Sequence, residues 1–457
     1  MKNKTILIQG KAQILKLVFI WCFILFTGFS FGQNPIIRDQ FTADPSARVI
    51  NGKVFVFPSH DIIAPEGKNL RPNWFCMEDY HVFSSENLTD WIDHGIIVSQ
   101  YDAPWIDSSS YSMWAPDCIE RNGKYYFYYP ARSNEGNRRG SRIGVAVAEN
   151  PEGPYNPQPK PIENVIGIDP AMFIDHDGQA YLYWSLGNLF VAKLKDNMLE
   201  LDSEVKIIEE MPKEGLKEGP YLFERNGIYY MTYPHVENGT ERLEYAIGDN
   251  PMGPFKFAGV IMDESPTGCW TNHQSIIEYK NQWYLFYHHN DYSPKFDKNR
   301  SIRVDSLFFN TDGTIQKVSP TLRGVGVADA KQKIQIDRYS HLSETGASIA
   351  FHDTLDTFKG WKTILENKDS WIQYNTVDFG KKKLKKVQVK ATSEVGSTLE
   401  IRLDKVNGSV ISEIEIPAGS DWEIVKAGTI KMKKGIHNIV VILKGNAAEI
   451  DWVRFEK

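Results

Sequence analysis

The chain has 457 residues, which is long enough for two or three domains, and 21 Tyr and 24 Phe dominate its aromatic content. A formal net charge of −6 and the lack of a basic stripe argue against nucleic acid as a partner. Tyrosine-rich segments separated by Gly, Asn and Asp turns are typical of an all-β protein.

Residues 1–32 predict a secretory signal peptide. Four lysines precede an apolar run from Leu17 to Phe26, and Ser30 and Gly32 are small residues at the cleavage positions. The run is too short for a membrane-spanning helix, and an uncut anchor is the alternative. We therefore expect a secreted or periplasmic protein without a membrane span. Its mature net charge would be −10, because the segment holds four lysines and no acids.

Residues 34–327 repeat one short phrase, in which an Asn-Gly or Asp-Gly turn precedes an aromatic-rich strand. The copies lie about 50 to 70 residues apart, with turns at Asn51-Gly52, Asn122-Gly123, Asp177-Gly178, Asn226-Gly227 and, without the glycine, Lys280-Asn281. A period of this length predicts one blade for each copy and hence a five-bladed β-propeller.

The composition changes after residue 327. Residues 328–340 are polar and predict a linker, whereas residues 341–457 contain apolar runs of strand length, such as 399–403 and 439–443. About 115 residues of this kind predict a separate β-sandwich domain with a jelly-roll-like arrangement.

The mature chain would contain three cysteines, Cys76, Cys118 and Cys269. Their number is odd and their spacing matches no zinc site. We therefore expect buried free thiols, with one disulfide as the alternative.

A polar or aromatic residue stands seven or eight positions before each repeated turn. Counting back reaches Asp44, Trp114, Asp169, Glu218 and His273. Because the innermost strand of every propeller blade faces the central channel, equivalent positions of the repeat converge on one axis. We therefore expect three carboxylates and a histidine to share one funnel. Two carboxylates on either side of a glycosidic bond are the usual requirement for glycoside hydrolysis.

Four motifs in this order resemble glycoside hydrolase family 43. They are Thr42-Ala43-Asp44-Pro45, Trp114-Ala115-Pro116-Asp117, Ile168-Asp169-Pro170 with Asp177-Gly178, and Glu218-Gly219-Pro220. The resemblance covers residues 34–325 and implies an inverting mechanism. It makes Asp44 the general base, Glu218 the general acid, and Asp169 the residue that tunes the pKa of the acid and orients it. Inversion requires roughly 6.5–9.5 Å between acid and base, so that a water fits between them.

The same resemblance implies residues that bind the sugar or a metal. Trp114 would form part of the sugar-binding wall or pack between blades, and Arg303 would lie near sugar hydroxyls or pair with an acid. His273 matches a histidine that in many family members holds a central calcium through water; alternatively it closes the channel without a metal. Hydrolysis itself requires no cofactor. Tyr80 and His81 are candidates for the mouth of the funnel.

The C-terminal segment resembles carbohydrate-binding module family 6. The matching phrases are at 371–380, 399–404 and 450–455. Such modules hold sugar between exposed aromatic rings, and Trp371, Tyr374 and Trp422 are the candidates here. A domain that only braces the propeller is the alternative.

The predicted protein is a secreted inverting glycoside hydrolase that acts on cell-wall polysaccharide or oligosaccharide. The activities expected from the resemblance are α-L-arabinofuranosidase, β-xylosidase or both. Exo-β-1,3-galactosidase, endo-arabinanase and a catalytically inactive glycan-binding protein are the alternatives. The signatures of the related fructoside-cleaving group are absent.

Overall fold

The computed structural model describes residues 33–134, 140–212, 214–237 and 239–457, and the predicted signal peptide lies outside these residues. The described residues form thirty-two strands and a single one-turn 3₁₀ helix, Thr357–Lys359. None of their helical segments has the length and apolar character needed to cross a membrane. The prediction of an all-β protein is confirmed.

Five antiparallel sheets follow one another along the first two thirds of the chain. The first consists of β1 (Phe41–Ile50), β2 (Lys53–Asp61), β3 (Asp79–Ser85) and β4 (Ile92–Ser99). The second consists of β5 (Asp117–Arg121), β6 (Lys124–Arg132), β7 (Ser141–Ala148) and β8 (Asn156–Pro157). The third consists of β9 (Ile168–Ile174), β10 (Ala180–Ser185), β11 (Leu189–Leu194) and β12 (Lys206–Ile207).

The fourth and fifth sheets vary this plan. The fourth consists of β13 (Leu216–Lys217), β14 (Tyr221–Arg225), β15 (Ile228–Val236), β16 (Arg242–Gly248) and β17 (Lys256–Met262). The fifth consists of β18 (Ser275–Tyr279), β19 (Gln282–His289) and β20 (Ser301–Leu307). Both β13 and β14 pair with β15, so they are two halves of one interrupted strand.

The five sheets are the blades of a propeller. The inner strands contact one another in the order β1, β5, β9, β14 and β18, and β18 in turn contacts β1. Polar contacts cross the axis between them. Arg48 pairs with Asp117 and donates to the carbonyl of Met172 at 3.0 Å. Its guanidinium lies 5.2 Å from the centre of the Tyr221 ring, and the Tyr221 hydroxyl donates to the carbonyl of Ile276.

The repeated Asn-Gly turns join each inner strand to the second strand of its blade. Asn51 and Gly52 have φ values of 50° and 77°, and Asn122 and Gly123 have 53° and 76°. Two successive positive φ values define a type I′ turn, which matches the twist of a hairpin and favours Asn-Gly. The repeat is therefore a sequence signature of the inner hairpins.

The N-terminal end of the described chain completes the fifth blade, which has three strands of its own. The amide of Ile36 donates to the carbonyl of Ile302 at 3.0 Å, and the Asn34 carboxamide accepts from the amide of Val304 at 2.9 Å. Both ends of the propeller sequence therefore meet in one blade.

The C-terminal domain is a sandwich of two six-stranded sheets. The first contains β21 (Ala328–Asp329), β23 (His341–Leu342), β26 (Trp371–Asp378), β28 (Ser397–Leu403), β29 (Val410–Ile416) and β31 (Ile436–Leu443). The second contains β22 (Ile334–Gln335), β24 (Ala347–Phe351), β25 (Trp361–Leu365), β27 (Lys386–Ser393), β30 (Gly419–Gly428) and β32 (Ala448–Glu456).

The sequence prediction that residues 328–340 form a linker is wrong. Strand β21 pairs with β26 and strand β22 pairs with β32, so the segment belongs to both sheets of the sandwich. Ala330, Ile334 and Ile336 are buried in the aliphatic core of that domain. The polar residues around position 332 conceal this short apolar pattern in the sequence.

The two domains share a buried interface. The Gln33 carboxamide donates to the hydroxyl of Tyr374 at 3.0 Å, and Arg338 of the sandwich donates to the hydroxyl of Tyr292 at 3.2 Å. The guanidinium of Arg338 also lies 3.7 Å from the centre of the Trp361 ring. The propeller and the sandwich therefore pack against each other directly.

Candidate active site

One pocket at the propeller axis contains all five residues reached by counting back from the turns. It encloses a cavity of about 120 Å³. The predicted residues that line it are Asp44, Trp114, Asp169, Glu218 and His273. The other lining residues are Trp74, Phe75, Ala115, Ile168, Trp270, Thr271, Asn272 and Arg300. The repeat therefore locates the pocket but accounts for less than half of its wall.

Each of the three carboxylates lies where an inner strand loses its regular pairing. Asp44 and Asp169 lie inside register shifts of β1 and β9, and Glu218 lies between β13 and β14. Asp44 and Asp169 have positive φ values of 48° and 56°. A bulge redirects a side chain, and strained backbone of this kind concentrates at functional sites. Irregular backbone thus turns all three carboxylates into the pocket.

Asp44 is held as a carboxylate by a cluster of donors. Arg300 donates to both of its carboxylate oxygens at 2.8 and 3.1 Å, and the Ser59 hydroxyl donates to one of them. Burial alone would raise the pKa of Asp44, but Arg300, His288, His273 and the Ser59 hydroxyl together lower it to about 2. Asp44 is therefore ionised across the physiological pH range.

Arg300 occupies the position in the pocket that the sequence analysis assigned to Arg303. Arg300 bridges Asp44 and Asp61, both of which are buried. Arg303 does not line the pocket; it is buried in an ion pair with Asp291. This is a correction to the expectation that Arg303 lies near the sugar, and it agrees with the alternative of a salt-bridge partner.

Asp169 supports the backbone beside Glu218. Its Oδ2 accepts a hydrogen bond from the Gly219 amide at 3.0 Å and another from the Ser185 hydroxyl at 3.0 Å. Burial raises the pKa of Asp169, and the nearby charge of Glu218 raises it further. The contact with Gly219 links Asp169 to the backbone next to Glu218, and the orienting role of Asp169 stays a prediction.

Glu218 adjoins a second buried carboxyl group, that of Glu241, which the sequence analysis missed. Glu241 is 1% exposed, its Oε2 accepts from the Asn272 amide at 2.6 Å, and its side chain also contacts the carboxyl of Glu218. Burial raises the pKa of Glu218, and the charge of Asp44 adds to this, whereas the hydrogen bond with Glu241 and the charge of Arg300 lower it. The net shift is upward, which suits an acid that must hold a proton.

His273 is half-buried, and its Nδ1 lies 3.7 Å from an oxygen of Asp44. The described residues include no close cluster of three metal-ligand side chains around it. A calcium ion here would be held by His273 through water, beside three carboxylates whose negative charge favours a cation. The residues present therefore fit a water-coordinated ion.

Aromatic side chains form the walls of the pocket. The rings of Trp74 and Phe75 lie 5.4 Å apart, and Trp114 and Trp270 contribute two further faces. Arg71 stacks on Trp74, with its guanidinium carbon 3.4 Å from the ring centre. Aromatic rings provide the flat apolar area on which a sugar face packs.

A wider groove continues from the pocket and shares three of its aromatic residues. The groove has a volume of about 990 Å³ and borders on Trp74, Phe75 and Trp114. Its polar wall contains Asn69, Arg71, Asp107, Ser109, Ser110, Ser112, Arg132, Ser133 and Asn134. Much more space is therefore available outside the pocket than inside it.

Tyr80 and His81 lie outside this pocket. Tyr80 is fully buried, and its hydroxyl donates to the carbonyl of Trp114 at 2.7 Å, so it supports the wall from behind. His81 pairs with Asp93 in the first blade. The sequence stretch that suggested them contributes its earlier residues, Trp74 and Phe75, to the pocket instead.

The candidate rings of the sandwich differ in exposure. Tyr374 is fully buried at the domain interface, which corrects the expectation that it stacks on sugar. Trp371 and Trp422 are half-buried and keep part of their surface open. The three cysteines Cys76, Cys118 and Cys269 are free and buried, so the expectation of free thiols is confirmed.

A ring of five blades with an ionised aspartate, a carboxyl group of raised pKa and aromatic walls on one axis defines the site class of a carbohydrate-cleaving propeller. The family comparison agrees. The model of the glycosyl hydrolases family 43 matches residues 32–315, and the chain belongs to this family. It is therefore a glycosidase. The model of carbohydrate binding module family 6 matches residues 343–457, which correspond to the sandwich.

Similar proteins are known from fungi and bacteria. The chain is 36% identical over 334 residues to xylosidase/arabinosidase 43A of Humicola insolens, covering 63% of this chain and 99% of that protein. It is 27% identical to arabinoxylan arabinofuranohydrolase of Paenibacillus polymyxa, covering 91% of this chain and 72% of that protein.

Among solved structures, one relative is a family 43 β-xylosidase/α-arabinofuranosidase from a compost microbial metagenome, in complex with xylotriose and in a calcium-free form. It is 35% identical, has a TM-score of 0.57, and covers 64% of this chain and 98% of that one. The two-domain fold is shared with an arabinoxylan arabinofuranohydrolase from Bacillus subtilis, which is 23% identical with a TM-score of 0.54 over 93% of this chain and 97% of that one.

Proposed function

We propose that this glycosidase removes α-L-arabinofuranosyl units, β-xylosyl units or both from arabinoxylan-type polysaccharide and its oligosaccharides, with inversion of configuration. The observation that supports the chemistry is the grouping of Asp44, Asp169 and Glu218 around one pocket. The sugar class rests on the names of the similar proteins, which act on xylosides, arabinosides or arabinoxylan.

In the proposed reaction Asp44 is the general base. Its low pKa keeps it ionised, so it accepts a proton from the water that attacks the anomeric carbon. Arg300 binds both oxygens of Asp44 and fixes the direction of its lone pairs. The same guanidinium lies at the pocket surface, where it is placed to meet a sugar hydroxyl.

Glu218 is the proposed general acid, which protonates the departing glycosidic oxygen. A raised pKa keeps this carboxyl protonated at a pH where Asp44 is ionised, so the two groups hold opposite protonation states. Asp169 orients the acid through the Gly219 amide. A Cβ atom at position 219 would lie 3.0 Å from Pro234 and 3.1 Å from His273, and φ there is 52°, so a residue other than glycine would be crowded and strained beside the acid.

The shape of the site supports action on chain ends or side branches. The pocket is small, and the groove that shares Trp74, Phe75 and Trp114 with it offers polar groups for the rest of a saccharide. We propose that the released sugar occupies the pocket and that the remaining chain lies in the groove.

Calcium and export are part of the proposal. We propose that His273 holds a calcium ion through water in the channel, where the ion would offset the charge of the surrounding carboxylates.

Residues 1–32 would direct the protein out of the cytoplasm, because lysines precede an apolar run in that segment. The sandwich would keep the enzyme on polysaccharide through Trp371 and Trp422, which are its partly exposed candidate rings.

The test is a panel of aryl glycosides and arabinoxylan, with wild type compared with Glu218→Gln. The amide cannot donate a proton, so we expect a loss of about 10²–10⁴-fold on arabinoxylan and a smaller loss on a nitrophenyl glycoside, whose leaving group needs little protonation. Glu224→Gln in the same blade lies outside the pocket and is the matched control. Equal rates for wild type and Glu218→Gln would refute the assignment of the acid. Binding without hydrolysis on every substrate would favour the glycan-binding alternative.

A further inference from the structure

A second group of metal-ligand side chains lies in the first blade, away from the catalytic pocket. His60, Asp79 and His81 each direct one ligand atom toward the others, and these atoms all lie within 4.8 Å of one another. Neither histidine is among the residues that line the pocket or the groove. The catalytic proposal makes no use of these three side chains.

The sheet register explains why the three residues meet. Strands β2 and β3 pair with Ser59 opposite Tyr80, so the next residues along the two strands, His60 and Asp79, are also neighbours. His81 follows Asp79 by two positions and therefore lies on the same face of β3. The rings of His60 and His81 are 5.0 Å apart, edge to face. Regular blade structure thus presents two imidazoles and one carboxylate on one side of the sheet.

The hydrogen bonds around His81 show which of its two ring nitrogens carries the proton. The Nδ1 of His81 lies 3.0 Å from both oxygens of Asp93, and since a carboxylate only accepts, Nδ1 carries the proton and Nε2 keeps a lone pair. The Gln40 carboxamide donates to the same Asp93 at 3.0 Å and holds it in place. A carboxylate behind the second nitrogen is the usual outer partner of a histidine that binds a metal.

We propose that His60, Asp79 and His81 form a binding site for a divalent transition-metal ion such as Zn²⁺, with Asp93 orienting His81 and water completing the coordination. Two imidazoles and one carboxylate suit Zn²⁺ better than Ca²⁺, which prefers oxygen ligands. The side chains of His60, His81 and Asp79 are 18%, 14% and 9% exposed, so an ion can reach them from solvent.

The geometry needs only a small adjustment to hold the ion. The Nδ1–H of His60 donates a hydrogen bond to an oxygen of Asp79 at 2.7 Å. A tetrahedral ion with ligands at about 2.0–2.1 Å would take the place of that proton and separate the two atoms to about 3.3 Å. The third ligand is His81, whose ring centre already lies 5.0 Å from that of His60 while Asp93 holds its Nδ1.

The experiment is calorimetric titration of ZnCl₂ into the full chain, purified without a histidine tag and kept in excess CaCl₂. The calcium occupies any site at His273, so that zinc binding reports on the imidazole site. We expect one equivalent of bound zinc in the wild type, and at least tenfold weaker binding in His60→Asn and in His81→Asn. Asp93→Asn leaves all three ligands in place, and we expect about 10–100-fold weaker binding because the orientation of His81 is lost.

The control is His176→Asn. His176 in the third blade also pairs with a carboxylate, that of Glu224 at 3.0 Å, but among the described residues it belongs to no close group of three metal-ligand side chains. We expect this variant to bind zinc as the wild type does. Thermal unfolding of each variant in calcium alone shows whether it is folded before the titration.

Two results would overturn the proposal. In one, the wild type fails to bind zinc; the cluster would then be two histidine–aspartate pairs only. In the other, His60→Asn and His81→Asn bind zinc as tightly as the wild type, which would place the metal elsewhere.

Discussion

The propeller axis and the core of the sandwich are buried to a similar degree but filled with different chemistry. At the axis, Asp44, Asp61 and Arg300 are buried together with two carboxyl groups of raised pKa. The core of the sandwich consists mainly of Ile, Val, Leu and Ala. Burying charge costs stability unless it is paired, whereas burying aliphatic surface provides stability. The buried charged groups at the axis are therefore explained by the proposed reaction, whereas the aliphatic core of the sandwich stabilises the fold.

The largest expected effect distinguishes the loss of the proposed base from the loss of an ion-pair partner of Arg300. Asp44→Asn and Asp61→Asn each remove one carboxylate from Arg300, but only Asp44 lines the pocket. We expect Asp44→Asn to lower kcat/KM by about 10²–10⁴-fold, because the amide cannot act as a base. Asp61→Asn should lose much less activity while losing comparable stability. Equal losses of kcat/KM in the two variants would contradict the role of Asp44.

Removing the arginine tests how far the charges at the axis depend on it. Arg300→Met leaves two buried carboxylates without their cation, and we expect the free energy of unfolding to fall by about 3–5 kcal/mol. Part of this difference depends on pH. The folded pKa of Asp44 is lowered to about 2, so its pairing stabilises the protein above about pH 4 and is lost as the pH falls toward 2.

Chemical denaturation of wild type and Arg300→Met from pH 6 to pH 2.5 measures this difference. The difference in free energy of unfolding between the two proteins should become smaller below pH 4. If this difference grew on acidification, Arg300 would not stabilise the ionised form of Asp44.

A cavity in the sandwich should affect stability without affecting chemistry. Ile401 is fully buried in the aliphatic core, and Ile401→Ala should cost about 2–5 kcal/mol. The kcat on a nitrophenyl glycoside should be unchanged at a temperature where the variant is folded. A large fall in kcat under those conditions would mean that the sandwich contributes to the pocket.

The smallest expected effect concerns the carboxyl pair at the axis. The contact with Glu241 lowers the pKa of Glu218, so Glu241→Ala should move the alkaline limb of the activity profile to higher pH. Glu241→Gln keeps a donor and should move it less. The measurement is kcat/KM against pH on a substrate with a poor leaving group. A shift to lower pH in Glu241→Ala would contradict this account.

The sequence predicted those residues at the axis that stand before the repeated turns, and it missed the others. Asp44, Asp169 and Glu218 occupy equivalent positions before repeated turns, so their meeting follows from the fold. Arg300 begins the approach to β20 and Glu241 precedes β16, and neither position is marked by the repeat. Arg300 and Arg303 are three residues apart in a strand region, where only the structure shows which one faces the pocket.

In the sandwich, the strands could be predicted from the sequence, but the exposure of the candidate sugar-binding rings could not. Its strands were predictable from apolar runs of strand length, and the runs 399–403 and 439–443 form parts of β28 and β31. The aromatic pattern of the same domain did not distinguish Tyr374, which is covered by the propeller, from Trp371 and Trp422. Contacts between domains leave no periodic signal within either one, so the exposure of such a ring is set by long-range packing.

The most direct test of the account is the configuration of the sugar at the moment of release. Proton NMR, recorded within seconds to minutes of adding enzyme to an aryl β-D-xyloside or the corresponding α-L-arabinofuranoside, identifies the first anomer before mutarotation. An acid at Glu218 and a base at Asp44 that activates water predict inversion, so that the β-xyloside yields α-xylose first. Initial release of β-xylose would show retention and contradict the proposed roles of both carboxylates.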